Sequence, residues 1–179
     1  MKIIVVYDSV FGNTEQIALA IGGALGCIPE VEVCSVSCLN PEKLKGVNHL
    51  IVGSPTRGFR PTEAITNFIK NIPSGELTGI RVAAFDTRIS LDELKSPIAR
   101  FIVKTGGYAA KSIAKKLIVK GGILILPPEG FLVTDEKGPL KTGETERAAR
   151  WVNASMAAAI QSFKTSNFIT RNRCNPLSF

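Results

Sequence analysis

Short apolar runs alternate along this chain with stretches whose apolar residues recur at helical spacing. The runs at residues 2–7, 49–53, 81–85 and 122–126 are rich in Ile, Val, Leu and Ala, and residues 31–36 alternate apolar with polar positions. Both patterns are typical of β-strands, so we predict a strand at each of these five places.

Helical segments are predicted between the strands and after the last one. Ile17, Ile21 and Leu25 form the inward stripe of an amphipathic helix that Gly26 can close. Pro61 is compatible with the first turn of a later helix. The other predicted helical segments lie at residues 41–44, at 98–120 with a bend at Gly106-Gly107, and at 144–163.

The order of these elements predicts the fold class. Residues 86–97 are interpreted as a long loop, and residues 127–130 as a turn before a short extension at 131–134. Strands that alternate with helices imply parallel strands, right-handed crossovers and helices on both faces. We therefore predict an α/β protein, a three-layer αβα sandwich around a five-stranded parallel sheet. It forms one domain over residues 1–163, followed by a C-terminal tail at 164–179 without clear periodicity.

The composition is that of an ordinary globular chain. With 179 residues, 45% of them apolar, it can bury a sizeable core without a disulfide or a metal. This excludes the disordered and disulfide-scaffold classes. Its apolar runs fall far short of the roughly 20 residues that span a bilayer. No apolar leader with a cleavage site follows Met1, so we expect a cytoplasmic protein without a membrane span.

Cysteine and histidine usage argues against a metal site. Cys27, Cys34, Cys38 and Cys174 match neither a metal-ligand nor a redox-dithiol spacing, and we interpret them as reduced thiols, with Cys34 half-buried in a strand and Cys38 in the loop beyond. His49 is the single histidine, which excludes a multi-histidine centre. Its place at the start of an apolar strand predicts a surface or edge position.

The basic excess is local. Lys and Arg number 22 against 15 Asp and Glu, a net charge of +7, and residues 95–120 contain seven basic residues and no acidic one. Such a cluster favours an anionic partner without indicating which one, and a plain solvated helix face is the alternative. Only Tyr108 is interleaved with these lysines, which argues against nucleic acid. Homo-oligomerisation stays open.

The segment after the first strand is the sharpest chemical signal. Ser9, Gly12, Asn13 and Thr14 lie between a buried strand and the start of a helix. Glycine permits a tight turn, and the free N–H groups of the first helical turn, with the hydroxyl and amide side chains, form an anion cradle. Since residues 3–42 contain no Lys or Arg, a phosphate there would be held by N–H groups, hydroxyls and the helix dipole.

This segment does not match the common nucleotide-binding or phosphoacceptor motifs. The chain lacks the Gly-x-x-x-x-Gly-Lys of a P-loop and has no Gly-x-Gly-x-x-Gly after its first strand. Its third strand ends in Gly53-Ser54 rather than in the aspartate of a receiver domain. That Asn13 and Thr14 merely cap the helix stays open.

Residues 5–21 resemble the signature of the flavodoxin family at its apolar pair, aromatic, hydroxyl residue, small residue, threonine, alanine and closing aliphatic. They read Val-Val-Tyr-Asp-Ser-Val-Phe-Gly-Asn-Thr-Glu-Gln-Ile-Ala-Leu-Ala-Ile. The resemblance extends over residues 1–163 in element order. It implies the strand order 2-1-3-4-5 and a site for the FMN phosphate in the first loop, an arrangement for which flavodoxin is itself the standard example.

The resemblance also implies roles for individual residues. Ser9, Asn13 and Thr14 would bind phosphate through their side chains, and Phe11 and Gly12 through backbone N–H groups. Phe11 replaces a hydroxyl residue common at that position, so one side-chain contact is lost. The implied cofactor-binding residues are Ser9, Val10, Phe11, Gly12, Asn13, Thr14, Pro55, Thr56, Arg57, Gly58, Phe59, Phe85, Asp86, Thr87 and Arg88.

Two segments expected at the flavin ring depart from the family pattern. Arg57 stands where flavodoxins usually place a tryptophan or another large apolar residue, and residues 85–89 lack the expected stacking tyrosine. Because a guanidinium near the ring stabilises the reduced anion, Arg57 and Arg88 predict a less negative reduction potential than in acidic flavodoxins. Pairing of Asp86 with either arginine would cancel this effect.

Three functions remain open at this point. The first is an FMN-binding electron-transfer protein in which no side chain acts as a catalytic acid, base or nucleophile. The second is an FMN-dependent NAD(P)H:quinone oxidoreductase, because Pro55-Thr56-Arg57 followed by Phe59 resembles the tetrameric quinone oxidoreductases related to flavodoxins. The third is a flavin-free flavodoxin-like module that binds an acidic partner.

Overall fold

The structure, a computed structural model, describes residues 1–26, 30–39, 41–90 and 107–154. Its strands are β1 (Lys2–Tyr7), β2 (Glu30–Ser35), β3 (His49–Pro55), β4 (Arg81–Ile89), β5 (Ile123–Leu124) and β6 (Glu129–Val133). They form one sheet in the order β2-β1-β3-β4-β5, with β6 also paired to β4. Every strand pairing in it is parallel. The predicted fold class and strand order are confirmed.

Helices cover both faces of the sheet. They are α1 (Asn13–Ala24), α2 (Glu63–Asn71), α3 (Ala109–Val119) and α4, which includes residues 144–154, with 3₁₀ turns at Val36–Cys38 and Pro41–Leu44. Because β1 is covered on both faces, its apolar run is continuous: Ile3 and Val5 pack in the core under α1 and α4, and Ile4 and Val6 in the core under α2 and α3.

Gly53 in β3 is required by close packing. A Cβ atom there would lie 2.1 Å from the ring of Phe85, so any side chain at this position would collide with the ring. Phe85 is fully buried and meets Phe131 and Trp151 edge to face, at centroid distances of 6.1 and 6.4 Å. This aromatic cluster joins β4 to β6 and α4, and Gly53 leaves the space that the Phe85 ring occupies against β3.

The fourth strand is longer than its apolar pattern indicates. Residues 86–89 were predicted to begin a loop, but they continue β4 and pair with β3 or β6. Asp86 and Thr87 are buried despite their polarity because neighbouring elements supply hydrogen-bond partners. The polar end of a buried strand was therefore mistaken for a loop.

Two other boundaries were also wrong. Strand β5 contains only residues 123 and 124 of the strand predicted at 122–126, and residues 129 and 130, predicted as a turn, already belong to β6, which also contains most of the extension predicted at 131–134. Helix α2 begins at Glu63 rather than at Pro61, and its N-cap is Thr62, whose side chain accepts a hydrogen bond from the Ile65 N–H.

His49 is not at the surface, which corrects the prediction. It is 1% exposed, and neither ring nitrogen has a hydrogen-bond partner among the described residues. Burial, with the nearby charges of Arg81 and the N-terminus, lowers the pKa of His49 to about 4. The imidazole is therefore neutral near pH 7.

Cys34 is half-buried in β2, which confirms its prediction, whereas Cys38, predicted in a loop, is the exposed last residue of the 3₁₀ turn Val36–Cys38. The other two cysteines, residues 98–106 of the predicted helix, the end of the last helix and the domain boundary at residue 163 lie outside the described residues. Within the described part of the chain, no helix is long and apolar enough to span a bilayer.

Candidate functional site

A cavity of about 300 Å³ opens at the carboxyl edge of the sheet. This is where open parallel sheets bind ligands, beyond the strands at which the order reverses. Its wall combines five stretches that are distant in the sequence: the loop after β1, the loop after β3, the end of β4, Tyr108 before α3, and the end of β6 with the loop after it. The lining residues are Val10, Phe11, Asn13, Thr14, Pro55, Thr56, Arg57, Gly58, Phe59, Thr87, Arg88, Ile89, Tyr108, Val133 and Glu136.

The loop after β1 carries a row of unbonded backbone donors. Gly12 is the N-cap residue of α1 and has the left-handed conformation, with φ 81°. Because glycine has no side chain, the helix has no side-chain cap. The Ser9 N–H is bonded to Asp8, and the Glu15 N–H to the Ser9 hydroxyl at 3.3 Å. Within the described part of the chain, no acceptor is found for the N–H groups of residues 10–14.

The buried side chains of this loop are engaged with protein. The Asn13 amide donates to the Lys137 carbonyl at 2.9 Å. The next residue is Gly138, where a Cβ atom would lie only 2.4 Å from that amide, so a side chain there would collide with Asn13. The Thr14 hydroxyl lies 2.8 Å from the Thr87 hydroxyl. Asn13 thus fastens the loop after β6 to α1, and Thr14 joins the first loop to β4. Neither residue is merely a helix cap.

A tight turn forms the second side of the cavity. Arg57 and Arg60 exchange two backbone hydrogen bonds, of 2.9 and 3.0 Å, around Gly58 and Phe59, which both have positive φ, 52° and 65°. A non-glycine residue in this region costs about 1–2 kcal/mol, so the surrounding contacts must hold Phe59 there. The exposed Arg57 guanidinium lies 5.8 Å from the centre of the Phe11 ring, across the cavity mouth.

A buried ion pair forms the third side. The carboxylate of Asp86 is bonded to Arg88 Nε at 2.5 Å and accepts the Ala110 N–H at 2.7 Å. Arg88 stacks on Tyr108, 4.0 Å from its centroid, and lies so close to Gly130 that a Cβ there would be 1.9 Å from the guanidinium carbon. Of the two pairings considered from the sequence, Asp86 therefore pairs with Arg88.

This pair changes the electrostatics expected of the site. Asp86 is fully buried, and burial raises its pKa, while the Arg88 charge and the Ala110 N–H oppose that shift. The Arg88 charge is largely offset by its partner. Arg57, in contrast, makes no ion pair with any described residue, so no described acidic partner offsets its charge at the cavity.

The cavity contains most, but not all, of the residues predicted from the sequence. Phe85 is in the core and Asp86 is behind Arg88, so neither lines it, and Ser9 and Gly12 lie at its first loop without lining it. Four lining residues were not predicted from the sequence: Ile89, Tyr108, Val133 and Glu136. Tyr108 could have been found, because the starts of helices gather at the same edge as the strand ends.

In residues 1–26, 30–39, 41–90 and 107–154 there is no group of three or more His, Cys, Asp or Glu side chains suited to a metal ion. Glu129, the first residue of β6, forms an ion pair with Arg147, with an N–O distance of 3.1 Å. That arginine also binds Glu144 at 2.6 Å and lies 4.6 Å from the Phe131 ring, so this cluster fastens α4 to β6.

Comparisons with known proteins agree with this geometry. A flavodoxin from the domain Archaea is 25% identical, with a TM-score of 0.65 over 85% of this chain and 94% of its own. Flavodoxin 2 from Bacillus cereus is 22% identical, with a TM-score of 0.67 over 88% and 99%. A flavodoxin, WrbA-like protein from Agrobacterium tumefaciens is 17% identical, with a TM-score of 0.61 over 87% and 98%.

No curated protein matches the chain. The family model described as a flavodoxin domain matches residues 4–119, which is more than half of the chain. The cradle after β1, the cavity at the carboxyl edge and the strand order all accord with this match. The chain therefore belongs to the flavodoxin family, and its role is flavin binding and electron transfer.

Proposed function

We propose that this chain binds FMN in the cavity and serves as an electron carrier for an acidic redox partner. The observation that carries the proposal is the row of unbonded N–H groups at residues 10–14, which suits a phosphate dianion at a helix N-terminus. The Ser9 hydroxyl accepts from the Glu15 N–H and keeps its own proton for donation to the phosphate.

The residues present fit the remainder of the cofactor. Phe59, Arg57 and Tyr108 would flank the ring system, and Thr56, Thr87 and Arg88 would form the floor of its pocket. Bound FMN supplies the redox chemistry, and the protein contributes binding, orientation and electrostatics. Tyr108 takes the place of the aromatic residue that the end of β4 lacks. No described side chain is required as an acid, base or nucleophile.

Preference for the phosphorylated flavin tests this proposal. We expect FMN to bind much more tightly than riboflavin, and Ser9→Ala to weaken FMN by about tenfold or more, the value of one hydrogen bond to a charged group. Riboflavin affinity should be unaffected. Flavin fluorescence titrations measure both, with Ser37→Ala, at an exposed serine outside the cavity lining, as the matched control. Equal affinity for the two flavins would refute the phosphate cradle.

The reduction potential tests the role of Arg57. Arg57→Gln should make the reduction potential of the FMN-loaded protein more negative by about 40 mV for a one-electron couple. The reason is that a solvated positive charge close to the reduced, anionic flavin stabilises it by about 1 kcal/mol. Arg60→Gln, in the same turn but outside the cavity lining, is the control and should shift it less. A shift that is equal in both variants would exclude a specific role for Arg57.

Turnover separates a carrier from an oxidoreductase. A carrier should show almost no steady-state reduction of a quinone by NADPH, whereas sustained turnover would favour the second function left open by the sequence.

A further inference from the structure

A groove lined by lysines lies between α2 and α3, on the face away from α1. It has a volume of about 490 Å³ and a mainly apolar floor that includes Ile69 and Val119. Lys70, Lys115, Lys116 and Lys120 surround it. We call this surface the lysine groove.

The outer side of α3 exposes aliphatic side chains beside these lysines. Ala109, Ala110, Ile113, Ala114 and Leu117 are buried on the inner side, which is sufficient to hold the helix on the sheet. In the last turn, however, Ile118 is 48% and Val119 is 71% exposed. A solvated helix face usually has polar residues at such positions, so these two side chains add an exposed apolar surface beside the lysines.

The charge of the lysine groove is not neutralised by the protein. Among the described residues, none of its four lysines forms an ion pair. Lys120 donates to the main-chain carbonyls of Lys70, at 3.0 Å, and Ile72, which fixes its position and leaves its charge in place. Lys111, one turn before Lys115, extends the positive surface along the exposed side of α3.

The residue types in the groove distinguish between anionic partners. Protein interfaces concentrate binding energy in Tyr, Trp and Arg and are depleted in Lys, and nucleic-acid surfaces use Arg and aromatic side chains. Among the described residues, neither Arg nor an aromatic side chain lines the groove. Lysines act as point charges, and together with exposed aliphatic residues they suit a diffuse anionic surface with an apolar interior.

We propose that the lysine groove and the adjoining end of α3 dock this protein reversibly on anionic lipid bilayers. The lysines attract the lipid head groups, and Ile118 and Val119 enter the interfacial region, as in peripheral amphipathic helices. The groove extends to Lys120 beside the end of α2, the cavity lies at Thr87–Ile89 where β4 ends, and no residue lines both. A docked molecule therefore keeps its cavity open to a partner, and the proposal is independent of which flavin is bound.

Vesicle co-sedimentation tests this. The full chain should bind vesicles of phosphatidylglycerol mixed with phosphatidylcholine and should not bind vesicles of phosphatidylcholine alone. Added salt should release the bound protein. Lys115→Glu combined with Lys116→Glu should weaken binding about 25-fold or more, at about fivefold per lysine lost. Lys137→Glu combined with Arg150→Glu makes the same change of net charge at exposed positions elsewhere and should have a much smaller effect.

A second pair of variants tests the apolar contribution. Val119→Ser should weaken vesicle binding about fivefold or more without any change of charge, and Leu19→Ser, at a residue 56% exposed on α1, should leave it unchanged. Thermal unfolding verifies that all variants are folded. Equal binding to neutral vesicles, or an equal loss in both charge variants, would overturn the proposal. Binding to polyglutamate without binding to vesicles would assign the groove to an acidic protein instead.

Discussion

Replacing Arg88 with methionine should lower the free energy of unfolding by about 3–5 kcal/mol, the cost of leaving one member of a buried ion pair alone. Asp86 is fully buried, and without the guanidinium its carboxylate retains the Ala110 N–H but no opposing charge. The stacking contact of Arg88 with Tyr108 is also lost. Urea denaturation of the protein without added flavin measures the difference.

Two further variants isolate the ion pair. Asp86→Asn combined with Arg88→Met should recover most of the loss, because the amide oxygen still accepts the Ala110 N–H and no buried charge remains. Arg150→Met, at an exposed arginine of α4, should change stability by no more than about 0.5 kcal/mol. If the free energy of unfolding of Arg88→Met is within about 1 kcal/mol of that of the native chain, the ion pair does not stabilise this wall of the cavity.

The loss of free energy of unfolding in Arg88→Met should also depend on pH. Burial raises the pKa of Asp86, and this rise becomes larger once the Arg88 charge is removed. The folded variant then binds more protons than the unfolded chain above the ordinary aspartate pKa, so its stability falls as pH rises through that region. The loss should therefore be smallest in acid and should grow as the pH rises above the ordinary aspartate pKa.

His49 should make the native protein sensitive to mild acid. Its pKa is lowered to about 4 in the folded state, so the unfolded chain takes up a proton near pH 6.5 while the folded chain does not. Stability contributed by the neutral imidazole is therefore present above pH 6.5 and is lost as the pH falls toward 4. Between pH 7 and pH 5 the loss is about 2 kcal/mol.

Substitution of His49 separates this effect from the titration of carboxylates. His49→Met should be as stable as the native chain or more so at pH 7, since both ring nitrogens are buried without partners in the described structure. The difference in free energy of unfolding between the native chain and His49→Met should change by about 2 kcal/mol between pH 7 and pH 5. His49→Gln is the matched polar control that cannot titrate. A difference that does not vary with pH would show that the imidazole is solvated.

The first loop and the central strands were predictable because their signals are local. Ile3 to Tyr7 is a continuous apolar run, Gly12 permits the left-handed turn, and the stripe from Ile17 to Leu25 has the period of a helix. Each pattern is set by neighbours within a few residues. They place the cradle between a strand and a helix before any tertiary contact is known.

Partnerships between distant residues were not predictable. The pattern at Asp86 and Arg88 is that of a polar loop, and their burial depends on the Ala110 N–H and on Gly130, which the sheet register brings beside them. Asn13 looks like a phosphate ligand or a cap, yet it binds the carbonyl of Lys137, 124 residues away. A single sequence does not reveal which distant chain segment will supply a donor or a charge.

By itself, the sequence indicated the alternation of strands with helices and the cradle after β1, because apolar periodicity and turn chemistry act over short distances. The flavodoxin-type fold was implied by the resemblance of residues 5–21 to the family signature. Only the tertiary structure decided which residues face the cavity: it buried Phe85, paired Asp86 with Arg88, brought Tyr108 to the wall and enclosed His49. Those outcomes depend on strand register and helix packing, which bring together groups that no local pattern connects.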